Sequence, residues 1–323
     1  MPKVVVISGF YNRGELLERT VQSIMDQSFA DFELMVFDDA SKDDTALRLQ
    51  ELANRYPDGR FRFKVFPENR GFVRGLIDTI ADTDSEYIAI QGSGDASLPE
   101  RLALQAAFLD EHPEVGAVGG WYYNVLEDGS RRFRQPDAGP ATHESLLRGN
   151  VFSHGEVMFR RDVYERVGGY RPQFTYSQDY DLWLRMVQVA RLATVQAPIY
   201  ERYVQFDGVS YKPSTKIGQA RLSAIARKLS RLDPEEQARQ LELMTERGPE
   251  ALVPLSDPGL QKSITQAVIR SIMFGAYDNA ADLIETGVTS RGRRWFLSTS
   301  LRLMKNRLFT PVRILLRRIL GIS

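Results

Sequence analysis

Cysteine is absent from the 323-residue chain. That excludes disulfides and cysteine-ligated zinc, and it points to a reducing compartment. Histidine is scarce: only His112, His143 and His154 occur, and they do not form metal-ligand spacing. No apolar run approaches the ~20 residues needed to cross a bilayer. The amino-terminal apolar stretch, Val4 to Ile7, is too short for a secretory signal and enters a strand at once. Together these features predict a cytoplasmic location. Internal repeats and low-complexity tracts are missing as well. Acidic residues stop at Glu285, beyond which Arg291, Arg293, Arg294, Arg302, Lys305, Arg307, Arg313, Arg317 and Arg318 follow. In a chain of zero net charge this leaves about +9 on the tail and about −9 on the remainder.

What the chain does have is an alternation of strand and helix patterns through its first two-thirds. Val4–Ser8, Leu34–Phe37, Phe61–Phe66 and Tyr87–Ile90 are apolar runs that read as buried strands. Between them the spacing predicts helices over Glu15–Met25, from Asp43/Asp44 to about Tyr56, after Asn69-Arg70-Gly71, and from Pro99 to about Glu111. This order implies a mostly parallel sheet covered on both faces. From about Val115 the pattern changes: strands at Val115–Asn124, around Phe133 and at Ser153–Arg160, then helices over Arg161–Val167 and Gln178–Val189. Beyond Thr215 the chain is helix-like, broken at Pro234, Pro249, Pro254 and Pro258.

Two segments carry the chemistry. Phe37-Asp38-Asp39-Ala40-Ser41-Lys42-Asp43-Asp44-Thr45 and Ile90-Gln91-Gly92-Ser93-Gly94-Asp95 each place carboxylates and small residues at the end of an apolar run. Carboxyl ends of strands are where an open α/β sheet presents a ligand site. Two acidic ends suit a nucleotide's ribose and base at one and a metal-bound diphosphate at the other.

The order of these segments resembles family-2 glycosyltransferases. It is carried by Tyr11-Asn12, Gln27-Ser28-Phe29, Asp38-Asp39-Ala40-Ser41, Asp44-Thr45, Asn69-Arg70-Gly71, Gly94-Asp95 with Pro99-Glu100-Arg101-Leu102, Gly168-Gly169-Tyr170 and Gln178-Asp179-Tyr180-Asp181. The matches run over about residues 3–210. The resemblance implies a GT-A fold, a Rossmann-like mostly parallel α/β sheet, over residues 1–212, with a helical carboxy-terminal region over 213–323. It further implies inverting transfer of a sugar from a nucleotide diphosphate donor, a UDP-sugar by family habit, to a glycan or lipid-linked acceptor in polysaccharide biosynthesis.

Carried over residue by residue, the resemblance assigns Tyr11, Asn12, Asp38, Asp39, Arg70, Gly94 and Asp95 to the nucleotide. Asp39 would accept a uracil N–H, Tyr11 would stack on the base, and Asp38 would either contact the nucleotide or fix the loop. Arg70 stands near the donor or caps a helix. His154, Gly169, Tyr170 and Gln178 would border the donor or acceptor sugar, a structural histidine being the alternative for His154. Asp179 would be the general base facing the acceptor hydroxyl. Asp95 would hold Mn2+ or Mg2+ against the diphosphate.

Two departures stand out. Two expected acidic positions read Gly92 and Gly94, leaving Asp95 alone, and no histidine follows the last strand, where Arg202, Gln205 or Lys212 could contact phosphate. They motivate a rival expectation, a non-catalytic sugar-nucleotide-binding or scaffold protein, against which the retained Asp179 argues. In the tail, basic and apolar residues alternate at helical spacing over 291–320, with Pro311 as a break. That pattern predicts a peripheral contact with the inner face of a membrane, or else a packed helix with a solvated basic face. A nucleic-acid partner is not expected.

Overall fold

Seven consecutive buried residues make the first strand, β1 (Val4–Phe10), in a computed structural model that describes residues 1–136, 139, 141–204 and 213–309. It lies between β2 (Phe32–Asp38) and β4 (Tyr87–Ile90), and β3 (Phe61–Val65) flanks β2, all in parallel register. The pairs Phe10↔Asp38 and Ile7↔Ile90 bring the carboxyl ends of β1, β2 and β4 to one side of the sheet. Helices α1 (Leu17–Met25), α2 (Thr45–Arg55), α3 (Phe72–Ala81) and α4 (Arg101–Glu111) make the connections. Leu17, Val21 and Ile24 of α1 and Leu49 and Leu52 of α2 bury their apolar stripes with Val4, Val6, Leu34 and Val36.

The second half of the sheet is mixed. β5 (Ala96–Ser97), β6 (Val115–Val125), β7 (Arg131–Arg134), β8 (Met158–Arg160) and β9 (Arg191–Tyr203) extend it in the order β3-β2-β1-β4-β8-β6-β9-β5, with β7 beside β6. β8 runs antiparallel to both β4 and β6, while β9 is parallel to β6. β9 is the element the sequence pattern hides, because its Gln196-Ala197-Pro198 interrupts the apolar run. Pro198 stands where the β6–β9 register shifts, a position that tolerates a missing N–H.

Three further helices belong here: α5 (His143–Arg148), α6 (Arg161–Arg166) and α7 (Gln178–Met186). The expected strand Ser153–Arg160 forms only at its end. Residues His154–Glu156 make a 3-10 turn, because Glu156 Oε1 accepts the Ser153 N–H and folds the chain back before the strand begins. The helix expected from Asp43/Asp44 starts at Thr45. Asp43 instead accepts from the N–H groups of Thr45 and Gly14 and ties the loop to the start of the first helical turn.

The chain divides into two compact units, Met1–Gln205 and Phe206–Ser323. The expected boundary at 212/213 differs by residues 206–212, which lie outside the described ones. In the second unit, α8 (Pro213–Leu229), α9 (Pro234–Arg247), α10 (Pro258–Phe274), α11 (Tyr277–Gly287) and α12 (Arg291–Lys305) follow one another. Pro234 and Pro258 open helices, their missing N–H falling where no intrahelical partner exists. Asp233 and Asp257 cap those same ends. Among the described residues no helix is long and apolar enough to cross a membrane.

Candidate active site

The loop after β1 and the loop after β2 are tied together. Asn12, in a left-handed conformation, donates its N–H to Ser41 Oγ (2.8 Å) and accepts from the Lys42 N–H (2.7 Å). Tyr11 beside it is exposed, its ring open to solvent. Asp38 is fully buried; its Oδ1 accepts from the Ser41 hydroxyl and N–H, while Oδ2 is buried without a partner. Asp39 turns the other way. Its two oxygens accept the N–H groups of Arg70 (2.7 Å) and Gly71 (2.9 Å), and its carbonyl accepts Asn69 Nδ2 (3.0 Å). Asp39 thus organises the Asn69-Arg70-Gly71 turn. The Arg70 guanidinium is paired with Asp78 at 2.9 Å and lies over the Phe66 ring.

The loop after β4 rests on a buried arginine. Arg101 is completely enclosed and bonds Gln91 Oε1, Ser97 Oγ and the carbonyls of Ile90 and Val157. Burial lowers its pKa to about 10, so it stays charged at neutral pH. Glu156, also enclosed, is pushed by burial up to about 8 and holds its proton there. Asp95 reaches inward: Oδ2 accepts from the Tyr200 hydroxyl and Oδ1 from the Tyr203 N–H, both at 2.9 Å. Burial outweighs those bonds and pushes its carboxyl up to about 6. Gly94 is buried at φ 89°, with its N–H on Thr20 Oγ1.

A third group gathers around the 3-10 turn. His154 Nε2 is 2.7 Å from the Tyr170 hydroxyl, and its Nδ1 is 3.5 Å from Gln178 Nε2. Burial holds His154 below its ordinary pKa, with Asp179 acting in the opposite direction. Gly169, at φ 63°, brings Tyr170 under Tyr164, whose hydroxyl accepts the Tyr170 N–H. Asp179, on the first turn of α7, accepts from Asn150 Nδ2 at 2.7 Å. Ser177 just before that helix takes a left-handed conformation, a strain of the kind concentrated at functional sites.

The 3-10 turn joins these groups. Phe72, which follows Gly71, meets the His154 ring edge-on at 6.0 Å, and the Tyr200 hydroxyl that holds Asp95 also accepts the Gly92 N–H. A Cβ on Gly155 would lie 2.3 Å from that hydroxyl, so the turn and the Asp95 loop are in direct contact. Asp39, Asp95, His154, Tyr170, Gln178 and Asp179 are therefore brought to one region. Arg202 bonds Asn124 Oδ1, and Gln205 and Lys212 lie outside the described residues. Sequence reasoning missed Asn150 and Tyr200. Asn150 leaves no signal, whereas the Gly92 and Gly94 replacements hinted that something else fills the loop.

The site does not fit a divalent cation held by the protein. Asp95 is the loop's single carboxylate and both of its oxygens are engaged by protein donors. Among the described residues no group of three or more His, Cys, Asp or Glu could hold a metal ion.

A parallel sheet with acidic loops at its carboxyl ends, extended by mixed strands carrying a carboxylate on a helix start, is the architecture of GT-A sugar transferases. Solved structures agree on the fold. S. aureus TarS 1-349 in complex with UDP-GlcNAc aligns with a TM-score of 0.59 at 17% identity, over 98% of this chain and 92% of that one. The mannosyltransferase PcManGT of Pyrobaculum calidifontis, in complex with GDP-Man and Mn2+, aligns at 0.57 and 18% identity, over 97% and 84%. The sequence profile of glycosyl transferase family 2 matches residues 5–168, and the chain belongs to that family. EpsE of Bacillus subtilis (strain 168), itself named as a glycosyltransferase, is 34% identical over 189 residues, 58% of this chain and 67% of that protein. The protein is accordingly a glycosyltransferase.

Proposed function

We propose that the enzyme transfers a sugar from a UDP-sugar to a hydroxyl of a glycan or lipid-linked acceptor, with inversion, and that Asp179 is the base. The acceptor oxygen bonds the anomeric carbon as its proton passes to Asp179, and the bond to the diphosphate breaks on the opposite face. The observation that carries this reading is the placement of Asp179: a half-exposed carboxylate held by one neutral amide, beside the His154–Tyr170–Gln178 group and apart from the Asp95 loop. In this reading Tyr11 stacks on the base. Asp39 shapes the wall around it, and its lone pairs left free by Arg70 and Gly71 face the uracil N–H. UDP is favoured because S. aureus TarS binds it, although PcManGT binds a guanosine donor. Calorimetric titration of UDP, GDP and dTDP into the protein is expected to give selective binding of UDP. Selective GDP or dTDP binding would replace the donor assignment, and no binding by any of the three would remove the donor site.

We further infer that the second unit meets an anionic membrane surface. On α12, Trp295 and Phe296 are 71% and 62% exposed beside exposed Arg291, Arg293 and Arg294, while Leu297 points inward. Large aromatic rings left in water next to cations suit a bilayer interface, where each basic residue adds about 1 kcal/mol. The part of the expected surface segment beyond Phe309 lies outside the described residues. Vesicles containing anionic phospholipid are expected to sediment the protein at low salt, and replacing Trp295 and Phe296 by serine is expected to weaken this several-fold. Equal sedimentation with neutral vesicles, or none with either, would overturn the membrane reading.

A further inference from the structure

Three observations at the loop after β4 go together. First, the space where the family's missing carboxylates would sit is already filled. A Cβ on Gly92 would stand 2.4 Å from Asp95 Oδ2 and 2.9 Å from the Tyr200 hydroxyl, and one on Gly94 would stand 2.8 Å from Leu16 Cδ1 in a left-handed backbone. Neither position can carry an aspartate without moving its neighbours. Second, the remaining carboxylate is turned into the protein, its two oxygens bonded to the Tyr200 hydroxyl and the Tyr203 N–H. A cation at Asp95 would share each oxygen with a protein donor and would meet no second carboxylate on the loop.

Third, cations are already present as side chains. Arg13 Nη1 bonds Ser93 Oγ at 3.1 Å, and Arg19 Nη1 bonds the Gly94 carbonyl at 2.9 Å, its guanidinium 3.8 Å from the centre of the Tyr203 ring. Arg202 bonds Asn124 Oδ1 and lies over the Tyr122 ring. Arg202 and Arg13 both act electrostatically on Asp95. Arg19 lines the same loop, and the nearby buried Glu201 is already paired with Arg131, so positive side chains stand where a metal would otherwise bring charge. Arginine's planar donors match phosphate oxygens.

We propose that this enzyme neutralises the donor's diphosphate with Arg13 and Arg202, assisted by Arg19, and holds no divalent cation there. The Tyr200–Asp95 pair fills the metal position and fixes the loop. This rests on the glycosyltransferase reading of the same site, and it makes the leaving diphosphate an arginine ligand throughout the reaction. A cation-free site of this kind should also accept nucleoside diphosphate with the same affinity whichever divalent ion is present.

The test is calorimetric titration of UDP into the full chain, in excess EDTA and again with manganese. The expected dissociation constants agree within about twofold, and sugar transfer from a UDP-sugar is unchanged by EDTA. Arg202→Gln is expected to weaken UDP binding roughly tenfold or more in both buffers, as loss of a charge-assisted bond does. Arg13→Gln, on the loop after β1, is expected to do the same and guards against a folding defect at Arg202. Binding that disappears in EDTA and returns with manganese overturns the cation-free site while leaving the transferase standing. Undiminished binding in both arginine variants overturns it as well. Absence of UDP binding in both buffers removes this inference and the uridine donor assignment together.

Discussion

Asp179→Asn is expected to lower kcat by about 10²- to 10⁴-fold, the usual contribution of a positioned base, while leaving the dissociation constant for UDP unchanged. The substitution preserves shape. Asn150 Nδ2 donates to the Asp179 carboxylate at 2.7 Å, and the carbonyl oxygen of an asparagine can accept the same bond, so α7 need not move. What the variant loses is the ability to take a proton. In the proposed reading donor affinity is set by groups at the carboxyl ends of β1, β2 and β4 and by Arg202 of β9, whereas the Asp179 carboxylate is bonded to Asn150. Steady-state transfer assays beside calorimetry separate the two quantities. Normal turnover in the variant would remove Asp179 from the mechanism. Loss of donor binding as well would make its role structural. The first outcome would also leave the inverting chemistry without a base.

The second large effect is on stability. Asp181 is buried on α7, with Oδ1 3.1 Å from Arg171 Nη1 and Oδ2 2.7 Å from Arg185 Nη2. Arg185 also donates to the Val167 carbonyl at 2.6 Å, so the group ties α7 to the end of α6. Asp181→Ala removes the carboxylate that both guanidiniums share. Breaking one side of a buried ionic group typically costs 3–5 kcal/mol, so a loss of about 4 kcal/mol in urea unfolding is expected. Because Asp181 lies half a turn beyond Asp179, the folded fraction should also transfer sugar poorly. Combining Asp181→Ala with Arg185→Met is expected to recover part of the loss, since one stranded charge goes with its partner. A change below about 1 kcal/mol in the single variant would mean that the arginines reach water at little cost.

Much of this protein was legible in its residues. Continuous apolar runs at Val4–Ile7, Leu34–Phe37 and Tyr87–Ile90 can hardly be anything but buried parallel strands, and the structure pairs them as β1, β2 and β4. The alternation of period gave the helices between them, and the order of short polar segments gave the family. On α7, Trp183 is completely buried and Asp181 pairs with two arginines. β9 was hidden because a proline and an alanine-glutamine stretch interrupt its apolar signal. Its strand character comes from pairing with β6 rather than from local propensity.

The composition of the site was therefore written locally, and its chemistry was decided at long range. Whether Asp95 offers its oxygens to a cation depends on a tyrosine 105 residues further along the chain. Whether Asp39 points at a ligand or at its own fold depends on N–H groups 31 and 32 residues away. Asp179, the proposed base, is held by an asparagine 29 residues before it. A sequence pattern reports burial and period, which are properties of neighbouring residues. Hydrogen-bond partners are set by which strand ends meet when the sheet closes, and glycine at 92 acquires its meaning only once Tyr200 has filled the space beside it.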